Sequence, residues 1–262
     1  MRIITIMNLK GGVGKTTTAI NMAAILSKDY GKKVLLVDND IQANVTKFFG
    51  KFSYDEASIE NVYRGEFLVD DLIHPVSERM DILPSNLNMD EALVELSMDE
   101  DANQISRLKD CLLQVRDNYD YCIIDNPPGI GLNVINSLAC TNDIIIPIKV
   151  DKYAMDGMQE LFEVVEEMKG FNPDLKSVKC LITQAYKSVE VSYGITVLQN
   201  SKYNLYKSII RRSTRVDSCT FETGGIGLIE YSPRSAACVD YRKFVAEYLG
   251  EIPDGKAGVS HA

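Results

Sequence analysis

Lys10-Gly11-Gly12-Val13-Gly14-Lys15-Thr16-Thr17 separates an apolar run, residues 3–7, from a segment of helical periodicity, residues 16–28. Strand, glycine loop, Lys-Thr and helix in that order suit a phosphate cradle. Glycines let the loop wrap tightly, so its backbone N–H groups aim inward at phosphate oxygens. The helix that follows adds its positive N-terminal end. In such a cradle Lys15 reaches the β- and γ-phosphates and the Thr16 hydroxyl holds Mg²⁺. A bare glycine-rich turn is the alternative, and the flanking strand, Lys-Thr pair and helix argue against it.

Apolar runs alternate with helical patterns along the rest of the chain. Residues 33–38, 81–84, 121–125, 143–147 and 178–182 read as strands, with a short last one at 205–210. Helices are expected near 88–98, 101–117, 132–140, 155–169, 191–200 and 235–249. Continuous apolar strands separated by helices predict an α/β fold, a mostly parallel central sheet covered by helices on both faces. No linker divides the chain, so a single domain is expected over residues 1–250, with 251–262 as a flexible tail. Segment 51–80 is the least regular, and its acidic composition reads as a surface-mounted insertion.

The 262 residues are 45% apolar and 25% charged, the balance of an ordinary globular protein. Nothing approaches the run of roughly 20 apolar residues that spans a bilayer. The start lacks the basic and apolar regions of a secretory signal, so a cytoplasmic protein is expected. Six cysteines form no Cys-x-x-Cys pair and only two histidines are present, His74 and His261. These counts exclude a disulfide frame and multi-histidine metal chemistry. A net charge of −9 argues against a surface coated in cations for nucleic acid. One stretch runs the other way: residues 191–216 carry Lys202, Lys207, Arg211, Arg212 and Arg215 and no acid.

Two more segments follow apolar strands: Val37-Asp38-Asn39-Asp40-Ile41-Gln42-Ala43-Asn44 and Ile124-Asp125-Asn126-Pro127-Pro128-Gly129. Ligands of open α/β sheets sit outside the carboxyl ends of the strands, so both segments should face the phosphate loop. Asp125 suits Mg²⁺ through its water shell. Asp38 and Asp40 share a face only if the strand persists, and Asp40 is expected on the loop. An isolated aspartate at such a place is commonly a turn or cap residue.

The phosphate loop departs from the ordinary G-x-x-x-x-G-K-[ST] pattern, with Leu9 at the first position and a second lysine, Lys10, at its head. This resembles the deviant Walker A ATPases. With Asn8, a D-x-D-P-Q-x-N segment in which Ile41 replaces the proline, and Asp125-Asn126-Pro127-Pro128-Gly129, the chain resembles the ParA/Soj branch of partition ATPases. Tyr153-Ala154-Met155-Asp156-Gly157-Met158 and Tyr231-Ser232-Pro233-Arg234-Ser235 are similar to two later family segments. The resemblance extends over residues 2 to about 249.

It implies a P-loop NTPase fold and a homodimer that sandwiches two ATP molecules. Gly11, Gly12, Val13, Gly14, Lys15, Thr16 and Thr17 would bind the phosphates, and Lys10 would cross to the partner's nucleotide. Asp40 would position or activate the attacking water, and Asp125 would support Mg²⁺. Phosphoryl transfer asks mainly for positioning and charge neutralisation, which these groups supply. The resemblance further implies slow turnover, a ParB-like centromere-binding partner and nonspecific DNA binding, with a nucleoid-associated location. Arg211, Arg212, Arg215 and Arg234 are the DNA candidates. No room precedes the loop for a helix-turn-helix module, so sequence-specific binding is not expected.

The chain also departs from the family. Arg211 and Ser213 stand where a proline and an asparagine are usual near the adenine pocket, and Ala236 stands for a further arginine. Other readings share the same loop. A MinD-like membrane ATPase needs a basic amphipathic C-terminal helix, whereas residues 239–249 balance two acids against two bases. An iron-protein reductase needs two matched cysteines per subunit, and Cys140 has no counterpart. An ATP-switch regulator that recruits a protein without carrying DNA uses the same chemistry.

Overall fold

The strand segments are rich in apolar residues, many of them β-branched, which suits positions buried on both faces of a parallel sheet. The computed structural model describes residues 1–66, 68–100, 103–151, 156–221, 225 and 227–251. Its eight strands are β1 (Arg2–Ile6), β2 (Val34–Asp38), β3 (His74–Ser77), β4 (Met80–Leu83), β5 (Tyr121–Asp125), β6 (Asp143–Lys149), β7 (Ser177–Ala185) and β8 (Leu205–Arg211). They form one sheet in the order β3-β4-β2-β5-β1-β6-β7-β8. Only β3 runs antiparallel, at the edge against β4. The expected α/β architecture is the one observed.

The strand order fixes where a ligand sits. The chain leaves β1 for β2 on one side, returns through β5 between them, then continues on the other side with β6. Crevices at such reversals, outside the carboxyl ends of the strands, are the binding places of open α/β sheets. Register does the rest: Asp38 lies level with Asp125, and Asp125 with Ile6. Three segments that are far apart in sequence therefore end side by side.

Helices in chain order are α1 (Lys15–Lys28), α2 (Asn44–Phe48), α3 (Ile59–Arg64), α4 (Val69–Leu72), α5 (Met89–Met98), α6 (Arg107–Gln114), α7 (Leu132–Cys140), α8 (Asp156–Phe171), α9 (Val189–Gln199), α10 (Thr214–Cys219), α11 (Leu228–Tyr231) and α12 (Ala236–Tyr248). One face packs Ile4, Ile6, Leu36, Ile123 and Ile145 against α1 and α12. The other packs Leu35, Val37, Cys122 and Ile124 under α3, α5 and α6, and Ile144, Ile146 and Ile148 under α7 and α8. Alternate residues of each strand thus serve opposite layers, as the two-residue period requires. Helix α12 buries Ala237, Cys238, Tyr241, Phe244 and Val245 in this core, so it is a structural helix. All six cysteines are buried and outside disulfides, and no described helix is long and apolar enough to cross a membrane.

Segment 51–80 corrects the expectation of a surface-mounted insertion. Ile59, Val62 and Tyr63 of α3 are fully buried, and Ser58 caps the helix with Asn61 in a reciprocal capping box. Of its acids, Asp55, Glu56, Glu66, Asp70, Asp71 and Glu78 are exposed, whereas Glu60 of α3 is buried. The predicted helix at 101–117 is shorter, Arg107–Gln114. The proposed tail, apart from Glu251, and residues 153–155 of the family-like segment 153–158 lie outside the described residues.

Proline in a central strand removes a ladder donor, yet Pro147 sits in β6. β1 pairs with β6 only as far as Ile6 and Ile145, so the missing N–H falls beyond the end of β1. There the Pro147 carbonyl accepts from the Asn8 side chain at 2.7 Å. The same Asn8 accepts from Lys10 N–H at 2.9 Å, which sets the head of the phosphate loop.

Candidate active site

The loop from β1 to α1 needs left-handed backbone at Gly12 (φ 70°) and Gly14 (φ 90°), a region open to glycine at little steric cost. The loop is tied to the end of β7. Thr183 Oγ1 donates to the Val13 carbonyl and Gln184 Nε2 to the Gly12 carbonyl, both at 2.7 Å. Gln184 itself is left-handed (φ 52°), which is uncommon for a residue with a side chain. With two carbonyls held, the loop opens into a cavity of about 420 Å³ that Thr183 and Gln184 also line.

Gly11, Gly12, Gly14, Lys15, Thr16, Thr17 and Asp40 line that cavity. Val13 turns inward and is buried. Lys15 Nζ donates to the carbonyls of Lys10 (3.0 Å) and Asn8 (3.4 Å), so its ammonium is folded across the loop. Burial lowers its pKa, while the Asp125 and Asp40 carboxylates hold it up. Thr16 Oγ1 donates to Asp125 Oδ2 at 2.6 Å. Asp125 is wholly buried, and its Oδ1 has no hydrogen-bond partner among the described residues. Burial, then repulsion from Asp38, raises its pKa well above the carboxylate range.

A buried hydroxyl–carboxylate pair with one orphaned oxygen, next to a second carboxylate and open to a cavity, fits a hydrated divalent cation. Asp40 lies off the strand, as expected, with Oδ1 accepting from Gln42 N–H at 2.9 Å. Asp38 points away from the cavity. Its Oδ2 accepts from the Thr46 N–H (2.8 Å) and Thr46 hydroxyl (2.7 Å), and its Oδ1 from Asp40 N–H (3.3 Å). Burial pushes its pKa up to about 6, against the pull of those bonds.

Lys10 lies 3.5 Å from Asp151, beside the loop. Of the four arginines, Arg211 and Arg212 border the cavity with Ser213, Val216, Asp217 and Tyr241. Arg211 is held by Asp240, Nε to Oδ2 and Nη2 to Oδ1 at 2.8 Å each. Arg215, on α10, and Arg234, before α12, are exposed and do not line the cavity.

Sequence reading missed several contributors. Thr183 and Gln184 follow an apolar strand with no motif around them. Tyr63, Asn39, Asn126 and Asn133 form a buried hydrogen-bonded group behind the aspartates. Two asparagines adjoining the motif aspartates were the only signal for it.

A family model described as an AAA domain matches residues 1–177. The chain is similar to the sporulation initiation inhibitor protein Soj of Bacillus subtilis (strain 168), at 36% identity over 94% of this chain and 97% of that protein. It is similar to the chromosome partitioning protein ParA of Myxococcus xanthus (strain DK1622), at 35% identity over 92% and 85%. A structure of cobyrinic acid a,c-diamide synthase from Mycobacterium smegmatis with bound ATP analog and magnesium superposes with a TM-score of 0.81 at 26% identity, covering 95% of this chain and 94% of that one. With the phosphate loop, the two aspartate segments and near-full-length likeness to Soj and ParA, the chain belongs to the ParA/Soj-type family of partition ATPases.

Proposed function

We propose that the protein is a Mg²⁺-dependent ATPase that dimerises on ATP, binds DNA without sequence preference, and lets go when a ParB-like partner stimulates hydrolysis to ADP and phosphate. One observation carries the reading: Lys15 and Thr16 line an open cavity, and Thr16 is bonded to the buried Asp125, whose Oδ1 has no hydrogen-bond partner among the described residues. Thr16 and Asp125 would hold Mg²⁺, which supplies charge neutralisation for the phosphates. Gly11 to Thr17 bind the phosphates through backbone N–H groups, and Lys15 swings from the Lys10 carbonyl to the β/γ-oxygens. Asp40 orients a water against the γ-phosphoryl group, and Lys10 of each protomer reaches the other's nucleotide.

DNA contact rests on exposed cations. Arg211 and Arg212 border the nucleotide cavity and Arg211 is bound by Asp240, which leaves Arg215 and Arg234 as the two DNA candidates away from the cavity. That placement favours a second reading, an ATP-gated switch that recruits a protein without carrying DNA. Asp40→Ala protein, titrated with random-sequence DNA under ATP-Mg²⁺, ADP or no nucleotide across a salt series, separates the two. Binding only with ATP that weakens as salt rises supports the DNA carrier. An ATP dimer that ignores DNA removes that claim and leaves the switch.

A further inference from the structure

A single line of hydrogen bonds crosses beneath the three loops that form the site. Tyr63 OH donates to Asn39 Oδ1 at 2.5 Å, Asn39 Nδ2 donates to Asn126 Oδ1 at 2.8 Å, and Asn126 Nδ2 donates to the Ile6 carbonyl at 3.2 Å. Asn133, in the first turn of α7, fastens the middle of the line. Asn39 Nδ2 also donates to the Asn133 carbonyl, and Asn133 Nδ2 to the Asn39 carbonyl, both at 2.9 Å. Tyr63 and Asn39 are fully buried, and Asn126 is 1% exposed.

The line touches the segments that carry Asp40, Asp125 and the phosphate loop. Asn39 stands between Asp38 and Asp40, Asn126 directly follows Asp125, and Ile6 closes the strand that feeds the phosphate loop. Backbone bonds repeat the link: Asn39 N–H donates to the Asp125 carbonyl at 2.9 Å and Asn126 N–H to the Ile6 carbonyl at 3.3 Å. Buried amides are costly unless fully partnered, and here both Asn39 N–H groups and its oxygen are engaged. An apolar pair would fill the same space without fixing the angle of either loop.

We propose that Tyr63, Asn39 and Asn126 are positioning residues that set the placement of Asp40 and Asp125 relative to the phosphate loop. The proposal deepens the ATPase reading and rests on it for its kinetic arm. Tyr63 brings α3 into that control: the helix most remote from the phosphate loop in this line holds the Asp40 segment by one hydroxyl. A network of this kind acts on the reaction through orientation, where small misplacements of a water-orienting carboxylate are expensive in rate. It leaves the phosphate-binding N–H groups untouched.

The kinetic test is the steady-state ATP hydrolysis of Tyr63→Phe, Asn39→Ala, Asn126→Ala and the Asn39→Ala/Asn126→Ala pair, with rates taken per nucleotide-binding site. Tyr63→Phe, which keeps the ring, should lower kcat about 5- to 10-fold with KM for ATP within about twofold. The double variant should lose little more than the worse single one, because both break the same link. A purely structural role would lower the melting temperature and the fraction of competent sites while leaving kcat per site unchanged; that result overturns the proposal. So does a double variant whose loss is the product of the two single losses.

Hydrogen exchange on the free protein supplies an arm that needs no turnover. Tyr63→Phe should lose protection at residues 39–43, 125 and 126 while the β6 amides keep theirs; equal protection in both proteins overturns the proposal. If the parent folds but does not hydrolyse ATP, the ATPase reading fails on that control, and the exchange data still decide the positioning role.

Discussion

The Thr16 hydroxyl and the Asp125 carboxylate, 109 positions apart in the chain, meet at 2.6 Å because β1 and β5 are neighbours in register. Among the described residues that bond gives Asp125 its only side-chain hydrogen-bond partner, and its second oxygen is left unmatched. Replacing Thr16 by alanine should therefore strike the metal-dependent part of ATP binding. Titration calorimetry with and without Mg²⁺ should show at least a tenfold weaker ATP-Mg²⁺ complex and little change in ATP binding without metal. Equal losses in the two series would reject the assignment of Thr16 and Asp125 to the cation.

Lys10 stands at the rim beside Asp151, apart from the residues that line the cavity. Lys10→Ala should bind ATP within about threefold of the parent yet fail to dimerise, whereas Lys15→Ala should lose ATP binding itself. Sedimentation with ATP-Mg²⁺ checks both. An intact ATP-dependent dimer in the Lys10 variant would count against the cross-interface role.

Asp38 carries the clearest pH signature. Its carboxyl is pushed up to about 6 in the fold, against about 3.8 for a free aspartate. The folded state therefore holds a proton that the unfolded chain has released between those values. Its contribution favours folding below pH 4 and fades as pH rises through 6, by on the order of 1 kcal/mol between pH 5 and 7.5. Asp38→Asn keeps an acceptor for Thr46 and should remove that slope. Denaturant melts of the nucleotide-free protein at both pH values, compared with the parent, supply the measurement; parallel pH curves would refute it.

The arginines should separate by phenotype. Arg215→Ala and Arg234→Ala should each flatten the salt dependence of DNA binding by about one unit of slope per protomer, with ATP affinity unchanged. Arg211→Ala should instead weaken ATP binding, because Arg211 borders the cavity under the hold of Asp240. A salt slope that changes only in the Arg211 variant would reverse this division.

Seven of the eight strands were legible because unbroken apolar runs such as Ile144-Ile145-Ile146 fit a sheet buried on both faces. The edge strand β3 was not: His74, Pro75 and Ser77 carry little apolar signal, and Pro75 is tolerable only because the strand is at the edge. Helix α3 hid in acidic sequence, since Ile59, Val62 and Tyr63 give too few apolar positions to reveal a period. The phosphate loop and Asp125 announced themselves through local spacing. Thr183, Gln184 and the Tyr63–Asn39 contact depend on register between distant strands and helices, and local spacing carries no record of that. Asp40 was expected off the strand and lies there, whereas the contact of Asp38 with Thr46 had no signal in the sequence.

The two bonds from Thr183 and Gln184 to carbonyls of the glycine loop bear on how nucleotide binding is driven thermally. A loop already folded over a rigid strand end loses little conformational entropy on taking up phosphate. The main movement required is that of the Lys15 side chain. Association should then show a small heat-capacity change for the first nucleotide, with the large negative change reserved for the later burial of surface between protomers. Empty and loaded monomers would be nearly the same object calorimetrically, and the mechanical signal of ATP would emerge only when two of them meet.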